Sequence, residues 1–281
     1  KLSVVGEKLL NANSQLLSRF SPELDNFSTQ FSRDFSALLT QSNSSSLKLY
    51  ASHGLAISQL RSQLNQHSSV NLDLHFYGSL ESLRALNSSQ CDIAGFHIPI
   101  GPMAHSLAPH YLAQLNAQQH TLIYVVKRNQ GLMVKAGNPK GIDSIRSLAH
   151  ISCEFINRQV GSGTRLLFDQ LLQNNNIEPA DIEGYQNEEF THMAVAAMIA
   201  SGVADVGFGI APMAEKFELE FIPLIWEHYC LAIPTEIIAD ERVEHIISLL
   251  KNTAFKHELS AYAGYDASHS GDAVSFETIF T

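Results

Sequence analysis

The sequence predicts an α/β protein of two lobes that is preceded by a long helix. Its 281 residues correspond to about two domains at ~150 residues each. From Leu47 onward short apolar segments alternate with amphipathic ones, and before that point apolar residues recur every seven positions. Hydrophobic residues make up 45% of the chain and charged residues 16%. We therefore expect two well-packed lobes rather than a disordered chain.

The net charge of the chain indicates which kinds of binding partner to expect. Lys and Arg number 18 against 28 Asp and Glu, which gives a net charge of −10. Surfaces that bind nucleic acid are normally basic, so these residues are not expected to contact DNA themselves. No apolar run approaches the ~18 residues of a membrane helix, and no charged-then-apolar leader opens the chain. We expect a cytoplasmic protein with no membrane partner.

Residues 1–41 predict a linker and dimerisation helix. An apolar residue every seven positions, with polar residues around it, is typical of a helix that pairs with another helix. Pairing between chains is favoured over packing on the helix's own domain, which predicts a homodimer or homotetramer. Residues 42–46 form a polar spacer. The predicted contacts between chains are Leu10, Leu17, Leu24, Phe31 and Leu38.

The following elements justify the two lobes. The predicted strands cover 47–51, 70–77, 92–98, 122–127, 151–156, 205–210, 221–225 and 231–233. The predicted helices cover 54–66, 80–87, 164–174, 191–200 and 242–251. Because strands alternate with helices, parallel sheets covered on both faces are expected. We assign 47–126 plus 230–281 to lobe I and 127–229 to lobe II, with a ligand beyond the carboxyl ends of the strands.

The sharpest local signal is the segment 157–165, which lies between a predicted strand and a predicted helix. Two glycines on either side of Ser162 allow backbone amides to approach a ligand, and the helix N-terminus adds unpaired N–H donors. Arg158 and Arg165 can add fork-shaped donors. This pattern favours a site for a small carboxylate or tetrahedral oxyanion over a plain Gly-Ser turn. The predicted contacts in this lobe are Gly161, Ser162, Gly163, Thr164 and Arg165.

Other candidates occur where strands give way to helices. Ser79 can cap its helix, donate to an anion or do both. His97 is as compatible with a core or surface histidine as with a ligand contact, and His192 precedes an Ala/Val/Met-rich helix. The further predicted ligand contacts are Ser52, His53, Gly78, Ser79, His97, His192 and Gly209.

Several kinds of chemistry are not expected. The nucleotide-binding patterns GxxxxGK[ST] and GxGxxG are absent, and so is the nucleophile pattern GxSxG. None of the 13 histidines falls in a HExxH motif, so no protein-bound metal is predicted. We therefore predict no catalytic residues, no cofactor and no enzymatic activity.

The segment 155–165 resembles the signature of the PBP-like domain in the type 2 periplasmic-binding-protein superfamily. That domain occurs in molybdenum-cofactor-associated proteins and in one-component bacterial regulators with a winged helix-turn-helix. The resemblance runs from about Leu47 to Ser270 and implies a two-lobed type 2 periplasmic-binding-protein-like fold. Further matching segments are 92–97, 184–185, 191–196, 200–210, 221–224 and 227–229.

Residues 3–10 are similar to the end of the wing and the start of the linker helix in LysR-type and molybdate-type regulators. This resemblance implies that the DNA-binding domain is missing from the chain, which begins at Lys1 rather than Met. We expect the ligand-sensing and oligomerisation region of a bacterial transcription regulator. It would bind molybdate, tungstate or a small carboxylate such as formate between its lobes, and DNA only through the missing domain.

Two alternatives remain at this point: a solute-binding protein for a small anion, and a non-catalytic module linked to molybdenum-cofactor metabolism. The turn at 51–55 reads Ala-Ser-His-Gly-Leu, where many relatives carry a Gly-Ser-His-Asp-like sequence. The missing acidic residue leaves the identity of the ligand open.

Overall fold

The computed structural model describes residues 46–52, 54–67 and 70–280. The five heptad residues predicted for dimerisation, the spacer up to residue 45 and the predicted ligand contact His53 lie outside these ranges. The described chain divides into two compact units. Unit 1 consists of Asn129–Trp226 and Tyr262–Gly264, and unit 2 of 46–128, Glu227–Ala261 and 265–280.

Strands and helices alternate along most of the described chain. In chain order the strands are β1 (Leu47–Ala51), β2 (Leu72–Phe76), β3 (Ile93–Pro99), β4 (His120–Val134), β5 (Phe155–Arg158), β6 (Glu188–Glu189), β7 (Val206–Ile210), β8 (Glu220–Pro234), β9 (Tyr265–Asp266) and β10 (Ala273–Val274). The helices are α1 (Leu55–His67), α2 (Ser79–Asn87), α3 (Pro102–Leu112), α4 (Gly163–Asn174), α5 (His192–Ala200), α6 (Ala211–Lys216), α7 (Glu241–Lys251), α8 (Thr253–Ser260) and α9 (Phe276–Phe280). Within the described ranges, no helix has both the length and the apolar character needed to cross a membrane.

Unit 2 is built around the parallel strands β2, β1 and β3. All seven residues of β3 are buried, as expected for a strand covered on both faces. On one face, Phe96 of β3 packs with Leu83, Tyr111 and Phe280 from α2, α3 and α9. The last part of β8 runs antiparallel to β3, and β9 and β10 return antiparallel to β4.

In unit 1, β5 pairs in parallel with both β6 and β7. The last part of β4 runs antiparallel to β7. Phe168 of α4 stacks on Phe155 of β5 and lies against Phe208 of β7, with ring centroids 4.6 and 5.5 Å apart. This packing fixes α4 on the sheet and places its N-terminus at the carboxyl end of β5.

The structure corrects two expectations about the strands. β4 and β8 each have 15 residues, whereas the sequence predicted a strand ending at 127 and two separate strands at 221–225 and 231–233. Both strands pair antiparallel to a neighbour, so the strand pairing is mixed rather than parallel. Polar residues in the middle of each strand interrupt the apolar pattern although Arg128 and Glu227 are buried. Each strand carries the chain from one unit to the other.

Candidate functional site

In unit 1, two helices begin at the same edge of the sheet. α4 starts at Gly163 after β5, and α5 starts at His192 shortly after β6, which is parallel to β5. Ser162 and Thr191 are the N-cap residues, and the side-chain oxygen of each accepts the backbone N–H of the third helical residue at 3.1 and 3.0 Å. The caps leave the first N–H groups of both helices as donors for another partner.

Thr164 and His192 connect these two helix ends. Thr164 Oγ1 lies 3.4 Å from His192 Nε2, and both side chains are buried. Gly209 of β7 lies next to them, because a Cβ at this position would be 3.3 Å from His192 Nδ1 and 2.5 Å from Met133 Cε. Gly161 has a φ of +86°, a conformation that favours glycine in the turn before α4. The structure thus brings together five predicted contacts of unit 1: Gly161, Ser162, Thr164, His192 and Gly209.

The guanidinium of Arg165 has partners within its own unit. Arg165 Nε donates to Asp169 Oδ1 at 3.0 Å and Nη1 to Glu188 Oε1 at 3.2 Å, while the guanidinium carbon lies 4.2 Å from the centroid of the Tyr185 ring. Arg158 donates to a backbone carbonyl at 2.8 Å. The charge of Arg165 is therefore balanced by two carboxylates, and its assignment as a ligand contact stays a prediction.

In unit 2, the predicted contacts Ser52, Gly78 and Ser79 follow the carboxyl ends of β1 and β2. Ser52 is partly buried, and Gly78 is the N-cap of α2, without a side-chain cap. Ser79 is buried, and its Oγ accepts the backbone N–H of His97 at 3.0 Å. Ser79 therefore joins α2 to β3, and its own hydroxyl proton is available for donation.

His97 lies inside β3 rather than at its end. Its ring stacks on Tyr229 of β8, with centroids 3.9 Å apart. Burial, together with the charge of Arg128, holds the pKa of His97 well below its usual value, so the imidazole is neutral. His97 Nε2 and Tyr229 Oη are both buried without a hydrogen-bond partner among the described residues. Two stacked side chains of unit 2 thus each have a buried polar atom without a described partner.

Sequence reasoning missed Arg128, which is 4% exposed, and its ion pair with Glu227, which is 2% exposed. Arg128 Nε donates to Glu227 Oε1. Burial alone would lower the pKa of Arg128, but the Glu227 carboxylate and the Tyr265 hydroxyl hold it above its usual value. Arg128 Nη1 lies 3.7 Å from the point where a Cβ on Gly54 would be. The available signal was an arginine directly after the predicted apolar strand 122–127.

Both sets of residues offer chiefly N–H and O–H donors. Among the described residues, no group of three or more His, Cys, Asp or Glu is arranged to hold a metal ion. Donors at helix N-termini are suited to an anion, because the unpaired N–H groups and the positive end of the helix dipole face it.

Two α/β units with helix N-termini at the carboxyl ends of their strands define a ligand-binding class of protein. The chain belongs to the PBP-like family of PBP superfamily domains. The model of this family matches residues 61–251. This match confirms the predicted type 2 periplasmic-binding-protein-like fold class.

Individual relatives agree with this family. The protein described as "Uncharacterized protein YvgK" from Bacillus subtilis (strain 168) is 33% identical over 199 residues, covering 71% of this chain and 64% of that protein. An ABC-type phosphate transport receptor from Vibrio cholerae has a TM-score of 0.55 at 16% identity, over 78% of this chain and 99% of the receptor. The tungstate ABC transporter from Geobacter sulfurreducens gives 0.56 at 14% identity, over 79% and 100%. At these identities the solved structures show a shared fold.

Proposed function

We propose that the chain binds a small oxyanion of the molybdate, tungstate or phosphate class. The observation that carries this proposal is the meeting of the α4 and α5 N-termini in unit 1, where Thr164 Oγ1 lies 3.4 Å from His192 Nε2. Open backbone N–H groups and a hydroxyl there can surround a small anion. The phosphate and tungstate proteins that share the fold support the same class. A small carboxylate such as formate can accept the same donors and is the second candidate ligand.

The proposed ligand contacts in unit 1 are backbone N–H groups of Gly163 and Thr164 and the side chains of Thr164 and His192. Arg165 has a supporting role in this proposal, since its ion pair with Glu188 ties the first turn of α4 to β6, while its ion pair with Asp169 lies within α4. In unit 2 the proposed contacts are Ser52, His53, Gly78, Ser79 and His97. The proposed role is binding rather than catalysis.

A thermal-shift screen of the full chain with tungstate, molybdate, phosphate and formate tests this function. A ligand at a hundred times its Kd should raise Tm by about 5–10 °C. Thr164→Val should reduce the shift, and Thr253→Val, at an exposed first residue of α8, should leave it unchanged. No shift with any of the four anions would refute the proposal.

We further propose that this binding module is the sensing and oligomerisation region of a cytoplasmic transcription regulator. The heptad pattern of residues 1–41 and the resemblance of residues 3–10 to a regulator linker helix support this setting. Contact with DNA would then be made by a domain outside this chain. Sedimentation of the full chain should show a dimer or tetramer that dissociates in the double variant Leu17→Glu/Leu24→Glu.

A transport-type solute-binding protein is the second candidate setting, because a phosphate transport receptor and a tungstate ABC transporter protein are among the solved structures that share the fold. A wild-type chain that sediments as a monomer at high concentration would favour it and contradict the regulator.

A non-catalytic role in molybdenum-cofactor metabolism is a third setting, with the same ligand class.

A further inference from the structure

We infer that Arg128 is the charged ligand contact of unit 2 and that Glu227 is the positioning residue that holds it. This inference rests on the proposed function. It adds a specific charged residue to the binding site and a preference for the more highly charged of the proposed anions. Arg128 lies in β4, and Arg128 Nη1 is 3.7 Å from the Cβ position of Gly54, directly before the 13-residue helix α1. A guanidinium and the N-terminus of a helix therefore converge at the end of β1, and both favour an anion.

The hydrogen bonds of Arg128 leave it donors for a ligand. A guanidinium carries five N–H donors, and Glu227 takes the one on Nε. Tyr265 also bonds to the side chain, but Glu227 is the carboxylate paired with it. A carboxylate on Nε fixes the plane of the guanidinium, and the N–H groups that Glu227 and Tyr265 do not take remain as donors.

A second, independent observation points to a ligand beside Arg128. Tyr229 is 1% exposed and His97 is 6% exposed, yet Tyr229 Oη and His97 Nε2 have no hydrogen-bond partner within the described part of the chain. A Cβ on Gly95 would lie 2.7 Å from Tyr229 Oη and 2.8 Å from Ala51 Cβ, so the hydroxyl is close to the end of β1. Buried polar groups are rarely left without partners. An oxyanion would accept the Tyr229 hydroxyl proton, and it would accept from His97 in the tautomer that carries the proton on Nε2.

The location of the ion pair links it to the connections between the units. Arg128 is the last residue of unit 2 before Asn129, Glu227 is the first after Trp226, and Tyr265 is the first after Gly264. The chain enters or leaves unit 2 at each of these three residues. Arg128 is hydrogen-bonded to both Glu227 and Tyr265, so the three residues form one cluster. An anion held by Arg128 would act on the strands that connect the units.

Titration calorimetry of the full chain with tungstate and with formate tests the inference. The double variant Arg128→Met/Glu227→Met removes both charges and retains side-chain volume, so it is expected to fold. Its affinity for tungstate should fall about tenfold or more, and its affinity for formate, which has a single charge, should fall less. Glu227→Gln retains an acceptor for Arg128 Nε and removes a negative charge, so it should bind tungstate more tightly than the wild type.

The control is Arg84→Met, on the exposed side of α2, which should leave both affinities unchanged. If the double variant does not fold, Arg128→Lys, which retains the charge but loses the fork, should still weaken tungstate binding. Wild-type affinity in a folded Arg128 variant would overturn the inference and leave the proposed function intact. A wild-type chain that binds neither anion would overturn both.

Discussion

Each unit contains a buried arginine near its strand ends, and the two arginines are neutralised differently. Arg165 in unit 1 pairs with Asp169 and Glu188, whose side chains are 40% and 30% exposed. Arg128 in unit 2 pairs with Glu227, whose side chain is 3% exposed. The carboxylates of Arg165 can be solvated if the arginine is lost, whereas Glu227 cannot.

This difference shows that a sequence motif predicts the position of backbone N–H donors more reliably than it predicts where a charged side chain points. Arg165 belongs to the recognisable segment 157–165, yet its guanidinium is directed to carboxylates of its own unit. Arg128 belongs to no motif, yet it reaches the start of α1. The backbone N–H groups at the start of α4 are fixed by local sequence, but the direction of a long side chain depends on partners elsewhere in the fold.

The largest expected effect is on the free energy of unfolding, which should fall more when Arg128 is replaced than when Arg165 is replaced. Arg128→Met leaves Glu227 buried without a partner and should cost about 3–5 kcal/mol. Arg165→Met loses hydrogen bonds to exposed carboxylates and should cost about 1–2 kcal/mol. Urea unfolding followed by circular dichroism gives both values. Equal losses would show that the two ion pairs contribute alike and would remove the distinction.

Much of unit 1's site could be predicted from sequence because it depends on neighbouring residues. The threonine at 191, followed by a helical segment, predicts an N-cap, and its cap bond is present. The sequence also allowed Thr164 to cap the preceding helix, but the N-cap there is Ser162, two residues earlier. The Arg128–Glu227 pair joins residues 99 positions apart, so no local pattern reveals it. Gln130, which is 0% exposed, belongs to the same buried polar stretch, and such residues made β4 look shorter than it is.

The next test compares the loss of stability when one glycine in each unit is replaced by alanine. Gly209→Ala would place a Cβ 2.5 Å from Met133 Cε, and such overpacking typically costs about 1–3 kcal/mol. It should also weaken tungstate binding, since His192 Nδ1 is 3.3 Å away. Gly54→Ala, whose nearest contact is Arg128 Nη1 at 3.7 Å, is the matched change in unit 2. Urea unfolding should show a clearly smaller loss for it, and a larger loss would contradict the geometry.

The N-cap of α4 allows stability and binding to be separated. Ser162→Ala removes the oxygen that accepts Arg165 N–H and should cost about 1 kcal/mol, whereas Ser162→Asp retains a cap. Aspartate also places a negative charge beside the open N–H groups, so it should lower tungstate affinity without a loss of stability. Asn252→Asp, at the N-cap of α8, is the control and should change neither property. Undiminished affinity in Ser162→Asp would argue against an anion at α4.

The expected effect that is smallest at neutral pH is on acid sensitivity, and it concerns unit 2. His97, His120 and His228 all lie there, and burial is the main cause that lowers the pKa of each; for His228 the pKa falls from 6.5 to about 4. A histidine with a lowered folded-state pKa is neutral in the native protein and takes up a proton on unfolding. Stability should therefore be full above pH 6.5 and decline as the pH falls from there toward about 4. His228→Gln should reduce this decline in urea titrations, and His245→Gln, on the exposed face of α7, should not. An unchanged pH profile in His228→Gln would show that its imidazole is as easily protonated in the native state as in the unfolded chain.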